Sequence, residues 1–218
     1  MHYLDADHRQ HFAGVDSPEA RHAFEQIDGF VGELRKAARE AGVADETVFV
    51  VVGDHGFVPV HTNVNLNVNA LLLATGFAKL AGGKIVPSPD LTVAALGGSA
   101  ALDLREGADP ALGLASTEGT MLVAIDSPLP ILPTGDLRGM HGYLPSMPAM
   151  ATGFIAAGPG IRRGIELPVV RQLDVAPTVA ALLGVPLEHA LGLPIPGVLE
   201  SRESGPGIGI GQLPRPVR

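Results

Sequence analysis

The spacing of apolar residues predicts a long helix early in the chain. From Ser17 to Gly42, apolar side chains recur at intervals of three and four residues, which places them on one helical face. The members of this face are Phe24, Ile27, Val31 and Leu34. Ser17 is a typical N-cap, Pro18 suits the first turn, and Gly42 favours termination. An amphipathic helix is therefore expected between Ser17 and Gly42.

A uniformly apolar segment follows this helix. Residues 47–52 are rich in β-branched side chains, which is typical of a strand that is buried on both faces. The segment ends abruptly at Gly53-Asp54-His55-Gly56. Alternation of a helix with a buried strand predicts an α/β sheet, in which polar ligands collect at the carboxyl ends of the strands.

Weaker signals predict the remaining elements. Gly97 and Gly98 separate two apolar runs, which favours a hairpin over residues 91–104, and Asp174 is expected to cap a helix ending near Gly184. The other expected elements are a strand end at Tyr3 and Leu4, a helix over 67–75, an irregular loop over 126–139, strands over 120–125 and 151–157, and a flexible Gly/Pro-rich tail over 201–218. Because no long linker interrupts residues 1–200, the sequence predicts one domain followed by the tail.

Composition excludes several classes of function. With 218 residues and 46% hydrophobic residues, the chain suits a domain with a sizeable core. A formal net charge of −8 argues against binding to a nucleic-acid polymer, and the absence of cysteine excludes disulfides and thiolate-bound zinc. No segment predicts a membrane span or a leader peptide. Met1 is expected to lie inside a domain, and this expectation leaves the compartment open.

Aspartate and histidine residues form three separated clusters. Asp7 and His11 are four residues apart, Asp54 and His55 follow the predicted strand, and His141 lies in a glycine-flanked loop. Carboxylate oxygen and imidazole nitrogen together suit a borderline cation such as zinc. Each cluster alone is compatible with a solvated loop or turn, but their joint occurrence favours a shared metal site.

Other polar residues near these clusters have weaker claims to a role. Asp5 and His8 are expected either to support the ligands or to face solvent. His61 and Asn65, with Asn67 and Asn69, are candidates for a substrate pocket, although capping and solvent exposure are favoured for them. Tyr143 is expected either to pack under the loop of His141 or to face substrate.

The motifs resemble those of the alkaline phosphatase superfamily, and most of all its nucleotide pyrophosphatase/phosphodiesterase branch. Residues 3–11 resemble the Asp-xxx-His motif for a first metal, residues 51–57 the Asp-His motif for a second, and residues 139–143 the closing His motif. Residues 97–100, 154–160 and 174–184 resemble further segments of these enzymes. The order and spacing of the motifs, from about Tyr3 to Val198, are specific to the superfamily.

The resemblance implies a fold, a metal set and a reaction class. It implies a three-layer α/β sandwich with a mostly parallel central sheet, here without its N-terminal strand or strands. It implies two divalent metal ions, with zinc favoured: Asp7, His11 and His141 would hold one, and Asp54 and His55 the other. The Thr or Ser nucleophile and a further aspartate ligand of such enzymes are expected upstream of Met1, so this chain by itself is expected to be weakly active.

Three hypotheses about function follow from the resemblance. The first is hydrolysis of phosphodiester or pyrophosphate bonds in small, nucleotide-type phosphate esters. The second is a non-catalytic metal-binding fragment, and the third is hydrolysis of phosphomonoesters, sulfate esters or phosphonates. A sheet position left unfilled beside the strand over 47–52 would expose apolar surface, which predicts self-association.

Overall fold

A computed structural model of the chain describes residues 1–66, 72–73, 76, 78–87, 91–104, 112–125 and 127–200. Contacts between Cα atoms divide the chain into two compact units. The first comprises residues 1–44 and 51–154, and the second comprises residues 45–50 and those from 155 onward. The predicted helix over 67–75 lies largely outside the described ranges, and the predicted tail lies wholly outside them.

The helices and strands have the following bounds. The α-helices are α1 (Asp5–Phe12), α2 (Pro18–Glu40) and α3 (Val175–Leu183), with short 3₁₀ helices at Ala44–Glu46, Pro148–Met150 and Gln172–Asp174. The strands are β1 (Phe49–Val52), β2 (Val58–Asn65), β3 (Ala78–Ala81), β4 (Lys84–Pro87), β5 (Leu91–Ala95), β6 (Ser99–Leu104), β7 (Leu112–Ala115), β8 (Gly119–Val123), β9 (Ile131–Pro133), β10 (Gly139–Met140) and β11 (Phe154–Ala157). Among the described residues, no helix combines the length and apolar character that crossing a bilayer requires.

The long helix predicted from apolar spacing is confirmed as α2. The hydroxyl of Ser17 accepts a hydrogen bond from the backbone N–H of Ala20 at 3.1 Å, so Ser17 is the N-cap. Ala20 and Ala23 are buried, whereas Phe24 keeps 51% of its surface exposed. Of the predicted apolar face, Phe24 is thus exposed, whereas Ile27, Val31 and Leu34 are half-buried.

The predicted strand end at Tyr3 and Leu4 is wrong. Helix α1 begins at Asp5, and the residues before it have no regular structure. The ring of Tyr3 instead stacks on the ring of Phe30 in α2, with the centroids 5.5 Å apart. An apolar dipeptide becomes a strand only where another strand accepts its backbone hydrogen bonds, and among the described residues none does so here.

Strand β2 is the central strand of a four-stranded sheet in the first unit. It pairs in parallel with β8 and antiparallel with both β9 and β10. Strands β3 and β4 form an antiparallel hairpin, and β5, β6 and β7 form an antiparallel sheet. The hairpin expected around Gly97 and Gly98 is confirmed by the pairing of Ala95 with Ala100. The fold is mixed α/β, and a mostly parallel central sheet is not confirmed, because most of these pairings are antiparallel.

Strand β1 differs from its prediction in burial. Val51 and Val52 are 37% and 41% exposed, although the sequence predicts a strand buried on both faces. Within the described part of the chain, β1 belongs to a two-stranded sheet with β11. A β-branched run is fully buried only when other layers cover both faces of its sheet, and that condition is set by tertiary structure.

Two apolar clusters form the core of the first unit. One contains Leu66, Leu72, Ala78, Ala100 and Leu122. The other contains Val58, Val60, Met121 and Tyr143, with Met140 and Leu137 packed against it. The second cluster brings the start of β2 next to the segment after β10, so the motif over residues 51–57 lies near the motif over residues 139–143.

In the second unit, Asp174 does not cap α3 in the way that the sequence predicts. It precedes the helix, but its carboxylate makes no capping hydrogen bond. The carboxylate instead accepts hydrogen bonds from the guanidinium of Arg171 at 2.6 and 3.0 Å and from the N–H of Leu193 at 2.9 Å. These donors lower the pKa of Asp174, with the Arg171 hydrogen bond as the main cause. The predicted stop at Gly184 is confirmed by its left-handed φ of 66°.

Asn65 is buried, which contradicts the exposure expected for it. Its side chain is 0% exposed, and its amide nitrogen donates to the carbonyl oxygens of Ile125, Ser127 and Leu129 at 3.1–3.4 Å. Its amide oxygen accepts a hydrogen bond from the N–H of Ile125 at 3.3 Å. Asn65 therefore holds the connection between β8 and β9 against the end of β2.

We expect Asn65→Ala to lower the free energy of unfolding by about 3 kcal/mol, because the buried amide of Asn65 makes four hydrogen bonds to the β8–β9 connection that alanine cannot make. Denaturant unfolding measures this change. Asn63→Ala is the matched control, since Asn63 donates to one carbonyl, that of Pro133, and it should cost no more than about 1 kcal/mol. Equal losses in the two variants would contradict the assigned role of Asn65.

Candidate metal centre

Helix α1 presents Asp7 and His11 on the same face. Residues four apart are neighbours on a helix, and Nε2 of His11 lies 3.6 Å from Oδ2 of Asp7. The other ring nitrogen of His11, Nδ1, donates a hydrogen bond to the carbonyl of Gly139 at 2.9 Å. That bond orients the ring and, in the neutral imidazole, leaves the lone pair on Nε2 directed at Asp7. Asp5, on the same helix, pairs with Arg9 at 3.4 Å.

The turn containing Asp54 and His55 is held by the segment over residues 149–153. The N–H of Gly53 donates to the carbonyl of Gly153, and the N–H of Gly56 donates to that of Met150, both at 3.1 Å. A Cβ at Gly53 would lie 1.9 Å from the hydroxyl of Thr152, and one at Gly56 would lie 1.9 Å from the carbonyl of Ala149. The two glycines are thus needed because another segment approaches closely.

The hairpin between β5 and β6 supports the loop that carries His141. The N–H of Gly98 donates to the carbonyl of His141 at 2.9 Å, and the hydroxyl of Ser99 donates to the carbonyl of Gly142 at 2.6 Å. A Cβ at Gly98 would lie 2.1 Å from the ring of Tyr143. The glycine pair that the sequence marks as a turn therefore also makes room for the loop of His141.

All five residues predicted from the sequence converge in the first unit. Oδ1 of Asp7 lies 3.6 Å from Nε2 of His141 and 3.9 Å from Nε2 of His55. Nε2 of His55 lies 3.6 Å from Oδ2 of Asp54, and its ring stacks on that of His141 with the centroids 3.8 Å apart. Asp54 is the most exposed of the five, with 71% of its side chain accessible. We call these five residues the Asp/His cluster.

The electrostatics of the cluster favour a bound cation. Burial lowers the pKa of His141, and the neighbouring His55 and His11 lower it further, against the opposing effect of Asp7 and Asp54. His141 is therefore neutral at neutral pH and able to donate a lone pair to a metal. Nδ1 of His55 donates to the carbonyl of Gly56 at 3.2 Å, so its Nε2 lone pair, like that of His11, faces the Asp7 carboxylate. A lone pair and a carboxylate that face each other repel, and a cation placed between them would remove this repulsion.

The spacing of the donors also fits a metal. One ligand atom each from Asp7, His11 and His141 can be chosen so that all three lie within 4.8 Å of one another. A tetrahedral ion with bonds of about 2.05 Å separates its ligand atoms by about 3.3 Å. The 3.6 Å distances from Asp7 to His11 and to His141 are a few tenths of an ångström longer, which small side-chain rotations would close.

Sequence reasoning assigned no role to Phe57, which is central to this site. Its ring is 7% exposed and packs against the imidazoles of His11, His55 and His141, with centroid distances of 4.9, 5.5 and 5.2 Å. The only signal in the sequence is its place directly after the Gly53-Asp54-His55-Gly56 turn, and an aromatic residue beside a turn is too common to indicate this contact.

The remaining candidates lie outside the ligand set. Tyr143 is 6% exposed and donates its hydroxyl to the carbonyl of Thr120 at 2.8 Å, so it packs under the loop. Burial, with a smaller contribution from Glu118, raises the pKa of Tyr143 to about 12. His61 is exposed and hydrogen-bonded to the hydroxyl of Thr62 at 2.8 Å. The ring of His8 contacts that of Phe12, with the centroids 4.9 Å apart.

Solved structures with a similar fold include ectonucleotide pyrophosphatase/phosphodiesterase 5 from human and from mouse. The human protein matches with a TM-score of 0.65 and 19% sequence identity, over 90% of this chain and 57% of that one. The murine protein matches with a TM-score of 0.61 and 19% identity, over 86% of this chain and 53% of that one. An inactive variant of the murine protein, solved in complex with AMP, matches equally well. This chain therefore spans a little over half the length of the similar proteins.

A comparison with curated protein sequences found no significant match. A sequence model of the type I phosphodiesterase/nucleotide pyrophosphatase family, however, matches residues 1–143, which contain the whole Asp/His cluster. The match covers more than half of the chain, and the similar folds come from the same group of proteins. The chain belongs to the type I phosphodiesterase/nucleotide pyrophosphatase family, within the alkaline phosphatase superfamily.

Proposed function

We propose that the chain is a metal-dependent hydrolase of phosphodiester or pyrophosphate bonds in small, nucleotide-type phosphate esters. The observation that carries the proposal is the convergence of Asp7 with the imidazoles of His11, His55 and His141. Family membership supports the reaction class, and the murine protein solved with AMP supports a nucleotide-type ligand. We further propose that residues 1–200 form part of a three-layer, alkaline phosphatase-like catalytic domain.

Two divalent ions, with zinc favoured, would be held by the Asp/His cluster. Asp7, His11 and His141 offer one oxygen and two nitrogen donors to one ion. Asp54 and His55 are adjacent in the turn after β1 and offer an oxygen and a nitrogen donor to a neighbouring ion. When bound, such ions offset the negative charge that develops on the phosphoryl oxygens during transfer.

The residues of this chain contribute orientation and shielding. The carbonyl of Gly139 holds the ring of His11, and the carbonyl of Gly56 holds that of His55. The ring of Phe57 closes the apolar side of the cluster, which keeps water from the imidazoles on that side. Asp54 is open to solvent, so we place substrate entry beside it. We assign no nucleophile among the described residues, and the expected self-association stays a prediction.

The proposal predicts slow hydrolysis of bis(4-nitrophenyl) phosphate that requires zinc and is abolished by EDTA. His141→Ala should reduce the zinc-dependent rate by about 100-fold or more, because a ligand donor is lost. Release of 4-nitrophenolate measures the rate. His61→Ala is the control, since this exposed histidine lies outside the cluster, and it should leave the rate unchanged.

The same assay distinguishes the alternative functions. Faster hydrolysis of 4-nitrophenyl phosphate or 4-nitrophenyl sulfate than of the diester would contradict the proposed substrate class. Tight zinc binding with no hydrolysis of any ester would favour a non-catalytic metal-binding role. Diester hydrolysis that persists undiminished in His141→Ala would remove the Asp/His cluster from the reaction.

A further inference from the structure

Phe57 is buried against three histidine rings. It is 7% exposed, yet it belongs to neither of the two apolar clusters found in the described part of the chain. A buried phenylalanine ordinarily stabilises a fold through contacts with other apolar groups. The surroundings of Phe57 indicate that its ring serves the imidazoles that it touches.

The ring contacts are directional. The planes of Phe57 and His11 meet at 75°, and those of Phe57 and His141 also meet at 75°. The ring of His55 is tilted by 54°. An edge-to-face contact restricts rotation of the imidazole, because turning the ring would drive it into the phenyl group. One side chain therefore constrains three rings that come from three separate segments.

The backbone of Phe57 is itself well anchored. The N–H of Gly56, just before it, donates to the carbonyl of Met150 at 3.1 Å. Val58, just after it, is 0% exposed and pairs with Met140 in the antiparallel contact of β2 with β10. Continuing that register by one residue places Phe57 opposite His141. Phe57 thus lies directly before β2, between two residues that are anchored by hydrogen bonding and burial, which suits a group that has to hold others in place.

We propose that Phe57 is a positioning residue that sets the ring orientations of His11, His55 and His141 and thereby the geometry of both metal sites. The inference rests on the proposed metal-dependent function. Phe57 acts through the imidazoles and is not assigned a contact with substrate. Its loss lowers metal affinity and changes the ligand field, since each imidazole then samples orientations in which Nε2 points away from the ion.

The test is titration of the metal-free full chain with Co²⁺, followed by visible absorption, with zinc competition giving the affinity. Phe57→Leu removes the ring and keeps an apolar side chain. We expect an affinity about tenfold lower than in wild type and a cobalt spectrum of altered position and intensity. Phe57→Tyr keeps the ring and should recover most of the affinity and the original spectrum.

Met121→Ala is the control for a general loss of core packing. Met121 is 6% exposed and belongs to the apolar cluster of Val58, Val60 and Tyr143. This variant should lower the melting temperature of the metal-free chain and leave the cobalt spectrum unchanged. If Phe57→Leu does not fold, Phe57→Met provides the same measurement with a more adaptable side chain.

Two results would overturn the inference. One is a Phe57→Leu or Phe57→Met variant with the cobalt affinity and spectrum of wild type. The other is the same spectral change in Met121→Ala, which would make Phe57 an ordinary core residue. Failure of the proposed function looks different, since wild type would then bind no Co²⁺, or would bind it without hydrolysing any ester.

Discussion

Replacing Asp7 with asparagine is expected to abolish the stabilisation of this chain by zinc. The carboxylate of Asp7 lies within 3.6–3.9 Å of Nε2 of His11, His55 and His141, so one substitution removes the charge that all three imidazoles share. We expect zinc affinity to fall on the order of 1,000-fold, which exceeds the 10–100-fold cost of losing a group that only supports a ligand.

Thermal unfolding with and without zinc measures this loss. An ion that binds only the folded chain stabilises it by about 2.7 kcal/mol at 100 times its Kd, and this gain should vanish in Asp7→Asn. Asp5→Asn is the matched control, because Asp5 lies in the same helix but pairs with Arg9. A melting temperature that is indifferent to zinc and to EDTA in wild type, or a full zinc response in Asp7→Asn, would contradict the proposed site.

The second large effect is expected at Gly142, the residue after His141. Its φ of +79° is unfavourable for any residue with a Cβ, and a Cβ there would lie 1.8 Å from the carbonyl oxygen of Leu96. Gly142→Ala should therefore displace the His141 loop from the β5–β6 hairpin. We expect a loss of about 3 kcal/mol or more in the free energy of unfolding, together with weak zinc binding.

Gly135→Ala separates the two causes of that loss. Gly135 has a similar φ of +65°, but a Cβ there would meet nothing within 4 Å, so its substitution adds backbone strain without a collision. It should cost about 1 kcal/mol and leave zinc binding intact. Denaturant unfolding and zinc titration of both variants provide the comparison. Equal effects of the two substitutions would show that the hairpin does not hold the His141 loop.

Features that depend on neighbouring residues were predictable from the sequence. Ser17 caps α2 because its hydroxyl reaches a backbone N–H three residues ahead, and the i, i+4 spacing of Asp7 and His11 brings them together once α1 forms. The hairpin at Gly97 and Gly98 follows from two glycines between apolar runs. In each case the interacting groups are close in the chain, so local geometry decides the outcome.

Predictions failed where other groups compete for a polar side chain. Asp174 was expected to cap α3, but Arg171 and the N–H of Leu193 bind its carboxylate instead. Asn65 was expected to be exposed, but three carbonyl groups from the β8–β9 connection surround its amide. A polar side chain has the same local propensity in either situation, so only the tertiary structure reveals which partner it takes.

The sequence by itself determined which donor groups are available to the proposed site. Aspartate and histidine occur beside glycines and strand ends, and the chemistry of their side chains does not depend on the fold. The tertiary structure alone decided that Asp7 faces three imidazoles, that Phe57 orients them, and that Val51 and Val52 stay half-exposed. These outcomes depend on distances between segments that are remote in sequence. Such distances follow from how sheets pair and pack, which periodicity along one segment does not encode.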